Sequence, residues 1–179
     1  MEITPEKPGD EADIERLLDL AFGRERAGKT VYRLREGVAP IPELCTVIRE
    51  DGVLKGSLRY WPVVIGEKRV PALLLGPVAV MPEDRGKGYA RALIWDSLEV
   101  ARRLGYGIVL LVGDEPYYVK FGFTRAFTKA LDLPGPVDLD RFLGLELVPR
   151  ALTGVSGLLQ KPRPDEARPA NLRPSDYAA

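Results

Sequence analysis

Residues 78–94 read VAVMPEDRGKGYARALI. An apolar run, Val78, Ala79 and Val80, breaks at Pro82, passes through a charged glycine-rich turn and ends in a helical pattern. That order is strand, turn, helix. A turn of this kind presents backbone N–H groups to an anion at the positive end of the helix. Gly86 and Gly88 put no side chain in the way, and glycine adopts the left-handed angles that tight turns need. Arg85, Lys87 and Arg91 bring positive charge to the same place, and Tyr89 and Ala90 complete the stretch. The chemistry expected is the holding of phosphates. A second cluster follows in GDEPYYVKFGF, residues 113–123, with the carboxylate of Asp114 beside the phenols of Tyr117 and Tyr118. A phenol titrates near about 10, so it keeps a proton to give at neutral pH.

Three phosphate cradles compete for the turn. A P-loop needs Gly-Lys followed by Ser or Thr to reach magnesium, and here Gly88 follows Lys87. A dinucleotide fingerprint fits Gly86 and Gly88, with Asp114 placed to bind a ribose, but Arg91 occupies its third small position. It also requires continued strand–helix alternation, which this chain lacks. The third candidate is a loop for the pyrophosphate of coenzyme A (CoA).

The elements that must position these residues read as follows. Residues 10–26 carry Ile14, Leu17, Leu18, Ala21 and Phe22 at helical spacing, and residues 31–36 suggest a second short helix. Residues 44–50, 54–65 and 69–81 read as three strands joined by tight turns, hence an antiparallel meander. Gly76-Pro77 interrupts the third and signals a bulge. The helix after the turn places Ala90, Leu93, Ile94, Ser97, Leu98, Ala101 and Leu104 on one face and ends at Gly105. GIVLLVG is then a wholly apolar strand, parallel to the one before the helix. A short helix follows over EPYYVKFG, and residues 123–135 and 143–149 suggest late strands. Residues 161–179 carry four prolines and few apolar side chains, and read as an extended or disordered tail on a domain of residues 1–160.

Composition narrows the function. The 179 residues balance 26 basic against 26 acidic side chains, so no basic excess points to nucleic acid. No apolar run approaches the roughly 18 residues that cross a membrane, and the polar, acidic start is unlike a signal peptide. A cytoplasmic location without nucleic-acid or membrane partners is expected. The chain has no histidine and one cysteine, Cys45, which excludes His-based triads, disulfides within the chain and His- or Cys-cluster metal sites. Cys45, in a strand-like run, reads as a buried structural thiol.

On these motifs the chain resembles the GCN5-related N-acetyltransferase (GNAT) family, and within it a bacterial subgroup of predicted N-acetyltransferases. The family signature Gln/Arg-x-x-Gly-x-Gly/Ala is met by Arg85, Gly88 and Ala90, and VAVMP is similar to its strand end. Tyr118, Gly122 and Phe123 match its Tyr-x-x-x-Gly-Phe element, and the likeness covers most of residues 1–160. The resemblance implies an α/β (α+β) fold with a mixed, largely antiparallel sheet of about six to seven strands, helices on both faces and a splayed parallel pair. It implies that acetyl-CoA binds as cosubstrate, with Val78, Ala79 and Val80 pairing to the pantetheine arm and residues 85–91 holding the pyrophosphate. Asp114 stands where relatives carry a pantetheine-binding asparagine, and Tyr118 where a tyrosine protonates the departing sulfur. The reaction implied is metal-free acetyl transfer to an amine in a ternary complex. The acceptor is a small-molecule or protein amine, met by the first helices, including residues 33–36, and by the C-terminal strands. Glu43, Glu67, Glu83, Asp114 and Glu115 are candidate bases beside a water relay. A homodimer is compatible with the sequence. The alternative reading is a non-catalytic acyl-CoA-binding or sensing module.

Overall fold

The computed structural model describes residues 1–169. In chain order the elements are β1 (Glu2–Pro5), α1 (Glu11–Phe22), α2 (Thr30–Arg35), β2 (Thr46–Glu50), β3 (Val53–Ile65) and β4 (Val70–Val80). Then come α3 (Tyr89–Arg103), β5 (Ile108–Val112), α4 (Glu115–Tyr118), β6 (Leu131–Asp132), β7 (Phe142–Glu146) and β8 (Gly157–Gln160). Six strands form one row in the order β1-β2-β3-β4-β5-β7, and β8 joins the far end of β3 while pairing with β6. Only β4–β5 and β6–β8 are parallel pairs among the described strands. The fold is the mixed α/β arrangement that the pattern and the resemblance led us to expect.

The meander forms because its turns have the right residues. Asp51 and Gly52 both take positive φ, 52° and 79°, which matches a two-residue hairpin between Glu50 and Val53. β3 then pairs with β4 along nearly its whole length. The register slips once. Leu58 faces Val78, whereas Tyr60 faces Leu75, so β4 spends three residues where β3 spends two. The extra residue is a bulge at Gly76-Pro77, and the indole N–H of Trp61 donates to the Gly76 carbonyl at 2.7 Å.

The bulge changes which side chains face which layer. Before it, Leu73 and Leu75 point into the core under α3; after it, Val78 and Val80 do. Ala72 and Leu74 serve the opposite layer before the bulge and Ala79 after it. Alternation has period two, so one inserted residue is what switches odd positions for even ones.

Helices cover both faces. α3 buries Leu93, Ile94, Leu98 and Ala101 against Ile48, Leu58 and Leu73. Its Ser97 Oγ lies in the core, 2.9 Å from the Tyr60 hydroxyl. α1 buries Ile14, Leu17 and Leu18 against Val47 and Ala79 on the other face. Adjacent residues Val47 and Ile48 of β2 thus serve opposite layers. Burial pushes the Cys45 thiol up to about 12, as a structural thiol requires.

Several boundaries differ from the sequence reading. The first helix stops at Phe22 because Gly23 takes φ 81°, and a 3-10 turn follows over Arg24–Gly28. Within the late strand expected over residues 123–135, Arg125–Thr128 forms a 3-10 turn; only Leu131–Asp132 is a strand, and Thr124 makes a single antiparallel bridge to Gly144. β1 and β8 had no counterpart in the pattern. Among the described residues no helix is long and apolar enough to cross a membrane.

The expected tail begins within the described region. Pro164–Glu166 forms one 3-10 turn, and the Arg69 guanidinium donates to both Glu166 oxygens at 2.6 and 2.7 Å. Arg168 reaches Glu43 at 3.0 Å. Residues 170–179 lie outside the described residues. The hydrogen bond from Arg69, then that from the Arg163 N–H, holds the Glu166 carboxyl down at about 2 from an ordinary 4.5. A depressed carboxylate stabilises the fold above its unfolded pKa and loses that contribution as pH falls toward the folded one. Glu166→Gln is therefore expected to lower Tm at neutral pH, with the gap to the parent closing as pH drops from 4.5 toward about 2. Thermal melts of both proteins across that range check it; a gap independent of pH would mean the ion pair does not tie this segment down.

Candidate active site

Two cavities lie along the open edge of β4. The parallel pair β4–β5 is in register only at Leu73/Val109 and Leu74/Leu110. Beyond it β4 runs on to Val80 beside β3, while β5 stays with β7 as far as Val112. The two strands part, and backbone groups on that edge of β4 are left without a strand partner.

A cleft of about 440 Å³ opens at the upper end of this edge, lined by Val80 and residues 84–91 with Tyr117 and Lys120. Gly86 and Gly88 take φ 85° and 89°, where an L side chain is strained. Ala92 N–H is the first to bond one turn back, to the Gly88 carbonyl. The N–H groups of Tyr89, Ala90 and Arg91 therefore stand at the start of α3 with no carbonyl one turn behind them. Asp84, 2% exposed, braces the turn from beneath. It accepts from Lys87 Nζ at 2.6 Å and pairs with Lys55 at 3.0 Å. Those two ammonium groups hold its carboxyl below the usual range, the Lys87 hydrogen bond contributing most.

This geometry separates the residues of the turn. Gly86, Gly88, Ala90, Arg85 and Arg91 face the cleft. Lys87 also lines it, but its ammonium is held by Asp84. Tyr89 offers only its backbone end, because its ring is buried and its hydroxyl donates to Glu50 at 2.5 Å.

The larger cavity, about 760 Å³, lies where the strands part. One wall is β4 from Leu75 to Val78, and the opposite wall runs from Leu111 to Asp114 and on to Tyr117 and Tyr118. Arg85 and Tyr117 line both cavities. Val78 lines the larger one and Val80 the cleft, so the β4 edge connects them, while the Ala79 side chain packs toward α1.

Tyr118 is set by its neighbours. Its N–H bonds the Asp114 carbonyl at 3.0 Å, and its ring meets Tyr117 edge-on at 5.0 Å and Phe123 at 5.9 Å. A Cβ on Gly113 would fall 2.5 Å from Tyr118 Cε2, so only glycine lets the ring lie across the end of β5. Burial pushes the phenol up to about 12, with Tyr117 and Asp114 adding to the effect and Arg141 opposing it. Asp114 is exposed at the rim and pairs with Arg141 at 3.3 Å. Of the five carboxylates read as candidate bases, Asp114 is the one that lines the cavity.

The third wall was less legible. α2 is stitched to the 134–136 loop by Arg33, which donates to the Pro134 carbonyl at 2.9 Å, and by Thr30, which donates to the Pro136 carbonyl. Arg35, Lys29, Asp138 and Arg141 reach the cavity; of these only Arg35 falls in a stretch, residues 33–36, that the sequence named as facing the acceptor, and none was given a role of its own. No short motif contains them, because they meet only when β7 brings Arg141 beside β5 and α2 folds over the bulge.

The chain has relatives among known proteins in both sequence and fold. Residues 2–126 match the family model of the acetyltransferase (GNAT) domain. The chain is 31% identical over 161 residues to the uncharacterized N-acetyltransferase YhbS of Escherichia coli strain K12, covering 89% of this chain and 95% of that protein. It is 30% identical over 131 residues to the uncharacterized N-acetyltransferase YjhQ of the same strain, covering 72% of each. The crystal structure of E. coli YhbS in complex with CoA superposes with a TM-score of 0.76, covering 90% of this chain and 89% of that one. A GNAT family acetyltransferase from Brucella melitensis in complex with acetyl-CoA is 29% identical, with a TM-score of 0.63 over 83% of this chain and 88% of that one.

The surroundings of Tyr118 can be checked without any ligand. Subtracting the ultraviolet pH titration of Tyr118→Phe from that of the parent isolates one phenolate. Its signal should rise only as pH approaches about 12, not near the ordinary 10. A midpoint near 10 would place the hydroxyl in open water.

Proposed function

The chain belongs to the GNAT acetyltransferase family, and on that premise we propose that it moves an acetyl group from acetyl-CoA to an amine. The observation that carries the reading is the continuous β4 edge. It leads from a cleft ringed by N–H groups at the start of α3 to a cavity overlooked by Tyr118.

CoA is divided in the same way. Its pyrophosphate is an anion, suited to the N–H groups of Gly86 and of residues 88–91 and to the positive end of α3, with Arg85 and Arg91 beside it. Its pantetheine arm is a chain of amides, able to pair with the unpartnered edge at Val78 and Val80 as an added strand would. The thioester then lies between the parted strands, near Tyr118. YhbS and the B. melitensis protein were crystallised with CoA and acetyl-CoA, which supports the same ligand here.

The reaction is an aminolysis. The amine nitrogen attacks the thioester carbonyl carbon, and the carbon–sulfur bond breaks. The Tyr118 hydroxyl protonates the sulfur, and the proton shed by the amine passes through water or the rim carboxylate Asp114 to restore the phenol. A phenol raised by burial keeps its proton through the neutral range, as an acid in this role must. The acceptor amine is a small molecule or a protein side chain, and a cytoplasmic setting suits an unpaired thiol such as Cys45. A non-catalytic acyl-CoA-binding module would bind the cosubstrate equally well; release of CoA thiol in the presence of an amine panel separates the two.

Two variants test the assignments. At Gly88 a Cβ meets nothing closer than Arg91 Nη2 at 3.7 Å, so Gly88→Ala strains the backbone by about 1 kcal/mol but leaves the cleft open. Gly88→Glu adds a carboxylate facing the phosphates. Calorimetry with acetyl-CoA should find weakened binding in the first and none in the second; full affinity in a folded Gly88→Glu protein removes the turn from the binding site. Tyr118→Phe should keep acetyl-CoA affinity and lose about 10²–10⁴ in kcat, with Tyr117→Phe milder. Unchanged kcat in Tyr118→Phe would hand the proton to water or to the substrate ammonium.

A further inference from the structure

Arg35, the last residue of α2, is a buried cation with which no described carboxylate pairs. It is 9% exposed and lines the larger cavity beside the bulge. Its guanidinium carbon lies 4.6 Å from the Tyr32 ring centre and 5.7 Å from that of Trp61. One terminal nitrogen approaches Gly76 so closely that a Cβ there would fall 2.8 Å from it. Nε has no hydrogen-bond partner among the described residues. Of the three other arginines of the same cavity, Arg26 holds Glu15 and Asp19 and Arg141 holds Asp114, while Arg85 sits at the junction with the cleft, beside the place proposed for the pyrophosphate. Burial lowers the Arg35 pKa to about 10; Tyr32 opposes this, and the nearby Arg59 adds to it.

Such an arrangement is costly on its own terms. A buried charge is expected to be paired with an opposite charge and hydrogen-bonded; Arg35 has the Tyr32 side chain as a neutral partner but no anion among the described residues. Two aromatic faces offset part of the cost, and stacking leaves the in-plane N–H donors of the fork available. The residue borders the cavity, with one terminal nitrogen against Gly76, and no described carboxylate pairs with it. Lys29, which lines the same cavity over the Phe22 ring, also has no carboxylate partner among the described residues. Of the cavity carboxylates, Asp114 pairs with Arg141, and Asp138 Oδ1 accepts from the Asp140 N–H at 3.1 Å; no described contact joins either to Arg35.

We propose that the acceptor is an amine that also bears a carboxylate, and that Arg35 binds this carboxylate beside Gly76. The inference rests on the acetyltransferase reading for the identity of the amine. A purely cationic amine would set like charge against an arginine that cannot retreat into water. An amino-carboxylate brings the missing anion, and its planar carboxylate matches the arginine fork. Apolar walls at Phe22, Val31, Leu75 and Val137 suit an aliphatic or aromatic side chain on the same molecule. A single fork fits one carboxylate better than a phosphate, which in the neighbouring cleft is offered several N–H groups. Arg35 is a binding residue for the acceptor and takes no part in proton transfer.

The test uses product-like probes, so it does not wait for a natural acceptor. Binding of N-acetylphenylalanine and N-acetylleucine is compared by calorimetry with that of N-acetylphenethylamine and N-isopentylacetamide, which lack only the carboxylate. The full chain is used, with and without CoA. The carboxylate probes should bind at least about tenfold tighter. Arg35→Met should abolish this preference while keeping acetyl-CoA affinity, and Arg35→Lys should fall between. Because Arg35→Met removes an unpaired buried charge, its Tm should equal or exceed that of the parent, so loss of preference cannot be ascribed to unfolding. Equal binding of the matched probes, no binding of either, or a preference that survives Arg35→Met overturns the proposal. So does a fall in acetyl-CoA affinity in Arg35→Met with the preference intact, which would assign Arg35 to the cosubstrate. If CoA itself fails to bind, the acetyltransferase reading fails, and the probes measured without CoA still decide the role of Arg35.

Discussion

The site depends on one constraint: β4 must hold β3 on one side and let go of β5 on the other. Antiparallel pairing with β3 carries β4 through the bulge and on to Val80. Parallel pairing with β5 lasts two residues. A sheet normally closes such a gap, because unpaired backbone groups cost free energy when buried. Here the bulge at Gly76-Pro77 supplies the divergence, and Trp61 satisfies the carbonyl it displaces. Proline at the bulge also removes one N–H that would otherwise need a partner. The gap survives as two connected cavities because the residues that open it are internally satisfied.

The two ends of the gap are stabilised differently. At the cleft, the glycines at 86 and 88 carry the backbone geometry, and Asp84 carries the electrostatics. A buried carboxylate between Lys55 and Lys87 pins the strand end to the turn, leaving N–H groups at the start of α3 directed outward. At the cavity, packing does the positioning. Gly113 makes room, Phe121 and Phe123 fix the aromatic cluster, and α4 follows directly from β5. The phenol of Tyr118 ends up half-buried, and that burial raises its pKa further above the neutral range.

Much of this was legible in the sequence, for identifiable reasons. The Asp-Gly turn, the period-two run of β4 broken at Gly-Pro, and the one-sided face of α3 are local signals, and each placed an element to within a few residues. Residues Arg125–Thr128 misled because Phe127 and its neighbours alternate like a strand. In the fold the Thr124 hydroxyl accepts from the Ala126 N–H at 3.2 Å and starts a turn instead, a competition between side chain and backbone that alternation does not register. β1 and β8, four residues each, are extended only because a neighbouring strand offers an edge. Lys87 was read as a phosphate ligand because it sits in the turn. Its capture by Asp84 depends on Asp84 being buried, which charge patterning alone does not reveal.

Arg35 marks the limit of sequence reasoning most clearly. In the stretch TVYRLREG it is one of three charged residues near the end of a short helix, the pattern of a solvated surface. Arg33 behaves as that pattern suggests and bonds a loop carbonyl at the exposed edge. Arg35, two residues on, turns toward the bulge and is buried between two rings. What separates them is tertiary: Gly76 has no side chain, and the space it leaves is occupied by the Arg35 guanidinium. The glycine that breaks the strand and the arginine that enters the cavity are thus parts of one arrangement. The bulge opens the gap, and the absence of a Cβ at the same residue admits a cation to it. A carbon atom at position 76 would disturb both, which ties the shape of the cavity and its charge to a single backbone feature.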